Sequence, residues 1–286
     1  MPPDSTVCRT CGSGDTVRVG PLPDVAEFAG TPLERPLQGG YLLRCRSCSF
    51  LFRTPTLGDD DYLSLYAQGS AEIWEPRDAR EDFRLVRSRV RDAPLDVLDV
   101  GCYTGHLLTT LPESCRLHGV EPNAAAAARA ESRGVRVVAR HWQQLESAGR
   151  DFDLITACDV IEHVPNPLAF LELLASCLRE GGQIIITTGN ADAWMWRLLG
   201  SRFWYCYYPE HISFIGPRWL ARIGARASLR VSELHFFSHS RLPAPVPRLK
   251  ALVRTGLAWS TTPSQLGRPL GAGLSKDHLL CVLRRL

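Results

Sequence analysis

The chain has 286 residues, is 45% hydrophobic and 22% charged, and carries a formal net charge of +3. That composition describes an ordinary globular protein with a full-sized core and excludes a mainly disordered chain. So small a surplus of positive charge does not by itself argue for nucleic acid or a membrane surface. No apolar run approaches the ~18 residues of a membrane span. The opening Met1-Pro2-Pro3-Asp4-Ser5 lacks the basic start and apolar stretch of a signal peptide, so a cytoplasmic location is expected.

In such a compartment disulfides are rare and paired cysteines point to metal. Ten cysteines are present, and Cys8/Cys11 and Cys45/Cys48 form two C-x-x-C pairs in turn-like contexts. Two such knuckles supply four thiolates for a tetrahedral zinc. A segment this short buries little core, so the metal would supply its folding energy. With no histidine or carboxylate in the set, the zinc is expected to be structural. Residues 1–56 are therefore predicted to form a zinc ribbon. The other six cysteines, Cys102, Cys115, Cys158, Cys177, Cys206 and Cys281, read as small core residues.

Residues 57–93 read as a helical linker that covers the active site. A short helix is expected at Tyr62–Tyr66, and another from Asp78 to Arg91 with Phe83, Val86 and Val90 on one face. From Pro94 the pattern alternates between strand and helix. Strands are predicted at Leu95–Gly101, Leu117–Glu121, Val135–Ala139, Phe152–Cys158 and Gln183–Thr188. Helices are predicted at Thr104–Leu111, Asn123–Ser132 and Pro167–Arg179, the first capped by Thr104. Two further strands, Val231–Phe237 and His278–Arg284, would complete the sheet. The fold class is α/β: a Rossmann-like, seven-stranded, mostly parallel sheet with helices on both faces, filling residues 94–286.

Chemistry is expected at the carboxyl ends of these strands. Asp99-Val100-Gly101-Cys102-Tyr103-Thr104-Gly105 is a glycine-containing turn, and Glu121 ends the next strand. Gly101 would let a ligand approach the backbone, and Glu121 could accept both hydroxyls of a ribose. The dinucleotide pattern G-x-G-x-x-G is absent. Asp99 would crowd a pyrophosphate but suits an ammonium group, which S-adenosylmethionine carries beside its ribose and adenine.

These residues make the chain resemble a class I S-adenosylmethionine-dependent methyltransferase. Val97–Gly105 resembles the family's first motif and Val120-Glu121-Pro122 its ribose-binding strand. Phe152–Ile155 with Asp159–Val164 resembles the motif after strand four, and Leu178–Gly182 the turn into strand five. The resemblance implies S-adenosylmethionine as cofactor, held by Asp99, Gly101, Tyr103, Gly105, Glu121, Trp142 and Asp159. Trp142 would either stack on adenine or serve as a core or surface aromatic.

The acceptor end is expected in residues 191–228, an aromatic lid ending in Tyr207-Tyr208-Pro209-Glu210-His211-Ile212-Ser213-Phe214. With the cysteine pairs, this stretch resembles zinc-binding sugar C-methyltransferases and small-molecule methyltransferases of natural-product pathways. That resemblance gives Tyr208, Glu210 and His211 the catalytic role, with an oxygen or carbon centre of a small molecule as acceptor. His211 either acts on substrate or anchors the loop. Glu162-His163 is expected to border the cofactor. Residues 239–276 read as an insertion before the last strand, with a short helix at Leu249–Trp259. The alternative is an RNA base methyltransferase with a zinc module as RNA reader. The small net charge and the sequence Asp159-Val160-Ile161-Glu162 weigh against it.

Overall fold

The computed structural model describes residues 6–69, 80–147, 151–239 and 276–286. The N-terminal part consists of short antiparallel strands around two cysteine turns. Strand β1 (Thr16–Pro21) follows the first turn, and a hairpin of β2 (Val25–Phe28) and β3 (Thr31–Leu37) comes next. β4 (Tyr41–Cys45) enters the second turn and β5 (Leu51–Thr54) leaves it. β4 pairs with both β1 and β5. This pairing brings the thiols together: Cys8 and Cys48 Sγ are 3.6 Å apart, and Cys11 and Cys45 Sγ 3.5 Å. Helices α1 (Asp59–Gln68) and α2 (Glu81–Arg87) follow.

Alternation then sets in: β6 (Asp96–Val100), β7 (Arg116–Val120), α3 (Ala124–Ser132), β8 (Arg136–Ala139), β9 (Phe152–Cys158), α4 (Pro167–Ser176) and β10 (Leu178–Gly189). Last come α5 (Trp194–Leu199), β11 (Ser213–Phe214), α6 (Pro217–Ile223), β12 (Leu229–Phe237) and β13 (His278–Arg285). Seven strands form one sheet in the order β12-β13-β10-β9-β6-β7-β8. β6 to β10 are parallel, and β13 runs antiparallel between β10 and β12. The central strands are apolar on both faces because both are covered: Val97, Leu98, Ile184 and Ile185 are all fully buried. Asn123 caps α3 by accepting from the Ala126 amide at 3.0 Å. Asn166 caps α4 in the same way, with Pro167 pre-set at the first helical position.

The ribbon is joined to this domain rather than merely linked to it. β11 pairs with β5, Ser213 opposite Phe52, and makes the ribbon a four-stranded sheet. Phe50 and Phe52 stack at 5.5 Å, and Phe50 packs on Trp219 of α6 at 5.8 Å. Both phenylalanines are fully buried, each worth roughly 1.5–3 kcal/mol.

Several predicted elements differ. Residues 104–111 are a run of turns with one short 3-10 segment, Leu108–Thr110, not a helix. Gly105, at φ +82°, leaves the right-handed region within what would be the first turn, and Pro112 follows the last. The Thr104 hydroxyl bonds His106 Nδ1 at 2.9 Å. α4 stops at Ser176 because β10 begins at Leu178. Within the expected helix 78–91, α2 covers only Glu81–Arg87, and Asp78 lies outside the described residues. So does all of the Leu249–Trp259 helix and most of the 239–276 insertion.

A Cβ on Gly105 would sit 3.1 Å from Val135 Cγ2 and 3.4 Å from Ala130, at a backbone angle that L side chains rarely adopt. Gly105→Ala should destabilise the protein by about 1–3 kcal/mol. Urea denaturation checks this as a lower midpoint with an unchanged m-value.

Candidate active site

The carboxyl ends of β6, β7, β8 and β9 open into one cavity of about 910 Å³. The crevice lies where the chain's crossovers diverge to the two sides of β6, the expected ligand position in an open parallel sheet. α1, the β2–β3 hairpin and residues 204–211 complete its walls.

On the β6–β7 side, Asp99 is buried and accepts from the Thr156 hydroxyl at 2.6 Å. Burial pushes its carboxyl up to about 7. Glu121 accepts from the backbone amides of Tyr103 (2.9 Å) and Asn123 (2.8 Å), which shapes the loop after β6. Burial raises it to about 7 as well. Gly101 has φ +75°, and a Cβ there would meet Val160 Cγ2 at 2.6 Å, so only glycine allows the two loops to meet. Tyr103 takes a left-handed conformation at φ 48° and lines the cavity. Trp142 lines it too, with its ring edge-on to Phe170 at 5.3 Å. Gly105 is not part of the lining; it packs behind against α3 and β8.

Asp159 also has a left-handed backbone, at φ 53°. Arg80 binds its Oδ2 and at the same time grips Asp82 through Nε at 3.0 Å. Burial pushes the Asp159 carboxyl up, but the Arg80 guanidinium outweighs it and holds it below the usual range.

The opposite wall is aromatic and imidazole-rich. His211 Nδ1 lies 2.9 Å from the Tyr205 carbonyl oxygen. A carbonyl only accepts, so Nδ1 carries the proton and Nε2 keeps its lone pair. Burial, then the neighbouring His163, lowers His211 well below its ordinary value. The Tyr205 ring lies 4.1 Å from the His211 ring, and its hydroxyl bonds Glu162, which also accepts from Thr188 at 3.0 Å. Burial lifts Glu162 to about 8. His163 Nδ1 is 2.7 Å from the Tyr66 hydroxyl and 3.0 Å from the Glu210 carbonyl oxygen. Glu210 reaches across to the ribbon: its Oε1 accepts from the Ala29 amide, while its Oε2 is buried with no partner. Tyr208 is 48% exposed at the cavity mouth, 5.1 Å from the His211 ring.

The aromatic stretch read as a lid divides in two. Trp196 and Phe203 stack at 4.8 Å and are buried with Leu22, Leu42 and Leu51 of the ribbon, so they are core. Trp204, Tyr205, Tyr207 and Tyr208 face the cavity.

Sequence reasoning missed several contributors. The β2–β3 hairpin supplies Asp24 to Glu27 and Gly30 to the wall. It falls in the long gap between cysteine pairs, where no periodicity announces a site. Arg80 is one of several arginines between residues 78 and 91, and nothing in its sequence neighbourhood singles it out. Arg53 is buried and donates to the carbonyls of Gly39, Cys206, Tyr208 and His211. His239 and His278 also line the cavity. Their ring centroids lie 4.5 Å apart.

The family profile "Methyltransferase domain" matches residues 74–234. A ubiquinone biosynthesis O-methyltransferase of Aeromonas salmonicida is 28% identical over 152 residues, 48% of this chain and 64% of that protein. The same-named protein of Pectobacterium atrosepticum is 31% identical over 49% of this chain and 65% of its own length. The matched region thus spans less than two thirds of either relative. Among solved structures, a chain from the complex of the Haloferax volcanii Trm112 methyltransferase activator with a methyltransferase superposes with TM-score 0.56. It shares 15% identity and covers 80% of this chain and 99% of its own. Coclaurine N-methyltransferase superposes with TM-score 0.51 at 14% identity, covering 80% and 81%. These two show the shared fold. Since the family profile matches more than half of its length, the chain belongs to the methyltransferase-domain family, of the class I, S-adenosylmethionine-dependent type.

Proposed function

We propose that this protein transfers a methyl group from S-adenosylmethionine to an oxygen of a small-molecule acceptor. The observation that carries this reading is His211: a neutral imidazole, fixed by the Tyr205 carbonyl, with Nε2 unprotonated in the cavity that also holds Asp99 and Glu121. The two relatives named as O-methyltransferases support an oxygen acceptor. Natural-product or sugar-type chemistry fits a cavity this aromatic.

The residues on the β6–β7 side fit the cofactor. Asp99 is a buried carboxyl in need of a cation, and Glu121 has lone pairs left after its two amide bonds. In this reading Asp99 meets the ammonium, Glu121 the ribose hydroxyls, Gly101 and Tyr103 the backbone edge of the site, and Trp142 the adenine. Gly105 supports that loop from behind, and Asp159 borders it. The cofactor supplies an activated methyl on a sulfonium. His211 Nε2 takes the proton from the acceptor hydroxyl as the oxygen becomes nucleophilic. Glu210, through its unpartnered Oε2, orients the acceptor, and Tyr208 closes the mouth.

The four N-terminal cysteines fit a structural zinc. Tetrahedral bonds of ~2.3 Å place thiolates about 3.8 Å apart, close to the 3.5–3.6 Å of the facing pairs. Residues 1–56 then serve as ribbon, 57–93 as cover and 94–286 as the catalytic domain. The ribbon contributes a cavity wall through its hairpin, which suits an enclosed small acceptor better than an RNA reader. No helix among the described residues is long and apolar enough to cross a membrane, which suits a cytoplasmic protein.

Two experiments test this reading. Replacing the base, His211→Gln, should lower kcat by about 10²- to 10⁴-fold with little change in cofactor affinity. Unchanged turnover would remove His211 from the chemistry. The second concerns pH. Asp99 rises from 3.8 to about 7 on folding, so below pH 7 it holds a proton that an ammonium ligand must displace. The ligand's α-amino group stays protonated up to ~7.7. Cofactor affinity should therefore rise from pH 6 to pH 7.5, and Asp99→Asn should weaken binding and flatten the slope. Calorimetry across that window reads both.

A further inference from the structure

A second cluster in the same cavity, across from His211, is not used by the chemistry above. Asp159, His239 and His278 each present one ligand atom, and these atoms lie within 4.8 Å of one another. Asp159 Oδ1 is buried without any hydrogen-bond partner. His278 Nδ1 lies 3.0 Å from Asp277 Oδ1. That carboxylate is itself fixed by Trp204 Nε1 at 3.2 Å. An ionised carboxylate only accepts, so His278 carries its proton on Nδ1 and turns the lone pair of Nε2 away from Asp277. A carboxylate that orients an imidazole in this way is the usual support of a metal-bound histidine.

Asp82 is buried beside the cluster, and Arg80 bonds both it and Asp159. Two imidazoles and a carboxylate suit a divalent first-row ion such as Mn²⁺, Fe²⁺, Co²⁺ or Zn²⁺, and with only three protein ligands positions stay open.

We propose that Asp159, His239 and His278 bind one divalent transition-metal ion whose open positions face the acceptor cavity. An acceptor oxygen could occupy such a position. The site shares no residue with the four N-terminal cysteines, whose thiolates are soft ligands. It stands on the cluster itself and does not depend on the proposed methyl transfer.

The test uses the full chain with its ribbon loaded with zinc, and Mn²⁺ as the probe, since Mn²⁺ discriminates against thiolates. Electron paramagnetic resonance of free Mn²⁺, read without cofactor or acceptor, gives stoichiometry and affinity. The expected result is one Mn²⁺ per chain, lost in Asp159→Asn and in His239→Ala. Asp277→Asn should bind about 10- to 100-fold more weakly. His239→Ala removes the most accessible ligand, and a thermal melt matching the parent shows that the fold survives. No binding by the unmodified protein, or binding unchanged in both ligand variants, would overturn the site. Because methyl transfer is not measured, failure here leaves the His211 reading standing, and failure of that reading leaves this one.

Discussion

The buried guanidinium of Arg53 is the contact on which the aromatic wall of the cavity depends. It sits on β5 of the ribbon, 4% exposed. Its partners are all carbonyl oxygens: Cys206 at 2.8 Å, Tyr208 and His211 at 3.2 Å, and Gly39 at 3.3 Å. Burial lowers its pKa, but guanidinium starts so high that it stays charged. A charge removed from water must be solvated by protein dipoles or the fold does not form. The 206–211 segment can supply those dipoles only by curling around Arg53. That curl points the His211 and Tyr208 side chains away from the ribbon core and into the cavity. Arg9 adds a second clamp, donating to the Ile212 carbonyl at 2.9 Å.

The N-terminal strands are therefore a template for the cavity wall. β5 pairs with β11, Arg53 gathers the loop just before β11, and the hairpin tip at Ala29 holds Glu210. Three separate contacts converge on residues 206–214. β4 and β5 flank the second cysteine turn, so the position of Arg53 and the pairing of β5 with β11 depend on that turn. The cysteine cluster and the aromatic wall of the cavity are coupled through that turn.

The sequence displayed the β6–β7 side of the cavity well and the opposite wall poorly, for physical reasons. Asp99, Gly101 and Glu121 belong to one strand-turn-strand unit, so their juxtaposition follows from local periodicity and from parallel pairing of neighbours. Asn123 and Pro167 marked helix starts through capping chemistry that needs only adjacent residues. The 104–111 stretch misled because its apolar spacing is helical, and only the handedness of Gly105 forbids the helix. β11 is two residues long and pairs with a strand more than 150 positions earlier, a contact with no local signature. Trp196 and Phe203 looked like substrate aromatics because their partners, Leu22, Leu42 and Leu51, lie in another part of the chain.

The same logic explains how the cavity can carry so many buried acids. Asp99, Glu121 and Glu162 all sit at or just beyond the ends of β6, β7 and β9, and burial raises each of them. Parallel strands place their last residues side by side, so one crevice collects the acids of several motifs. β13 enters the sheet antiparallel and so begins at that same end, which puts Asp277 and His278 there; Phe237 of β12 pairs with His278 and delivers His239 two residues later. The reversed strand is what adds Asp277 and His278 to a crevice already lined by His163 and His211. Arg80 then joins the two groups through Asp82 and Asp159. A fold with β13 parallel would have placed Asp277 and His278 at the other end of the strands, leaving His239 without its imidazole neighbour.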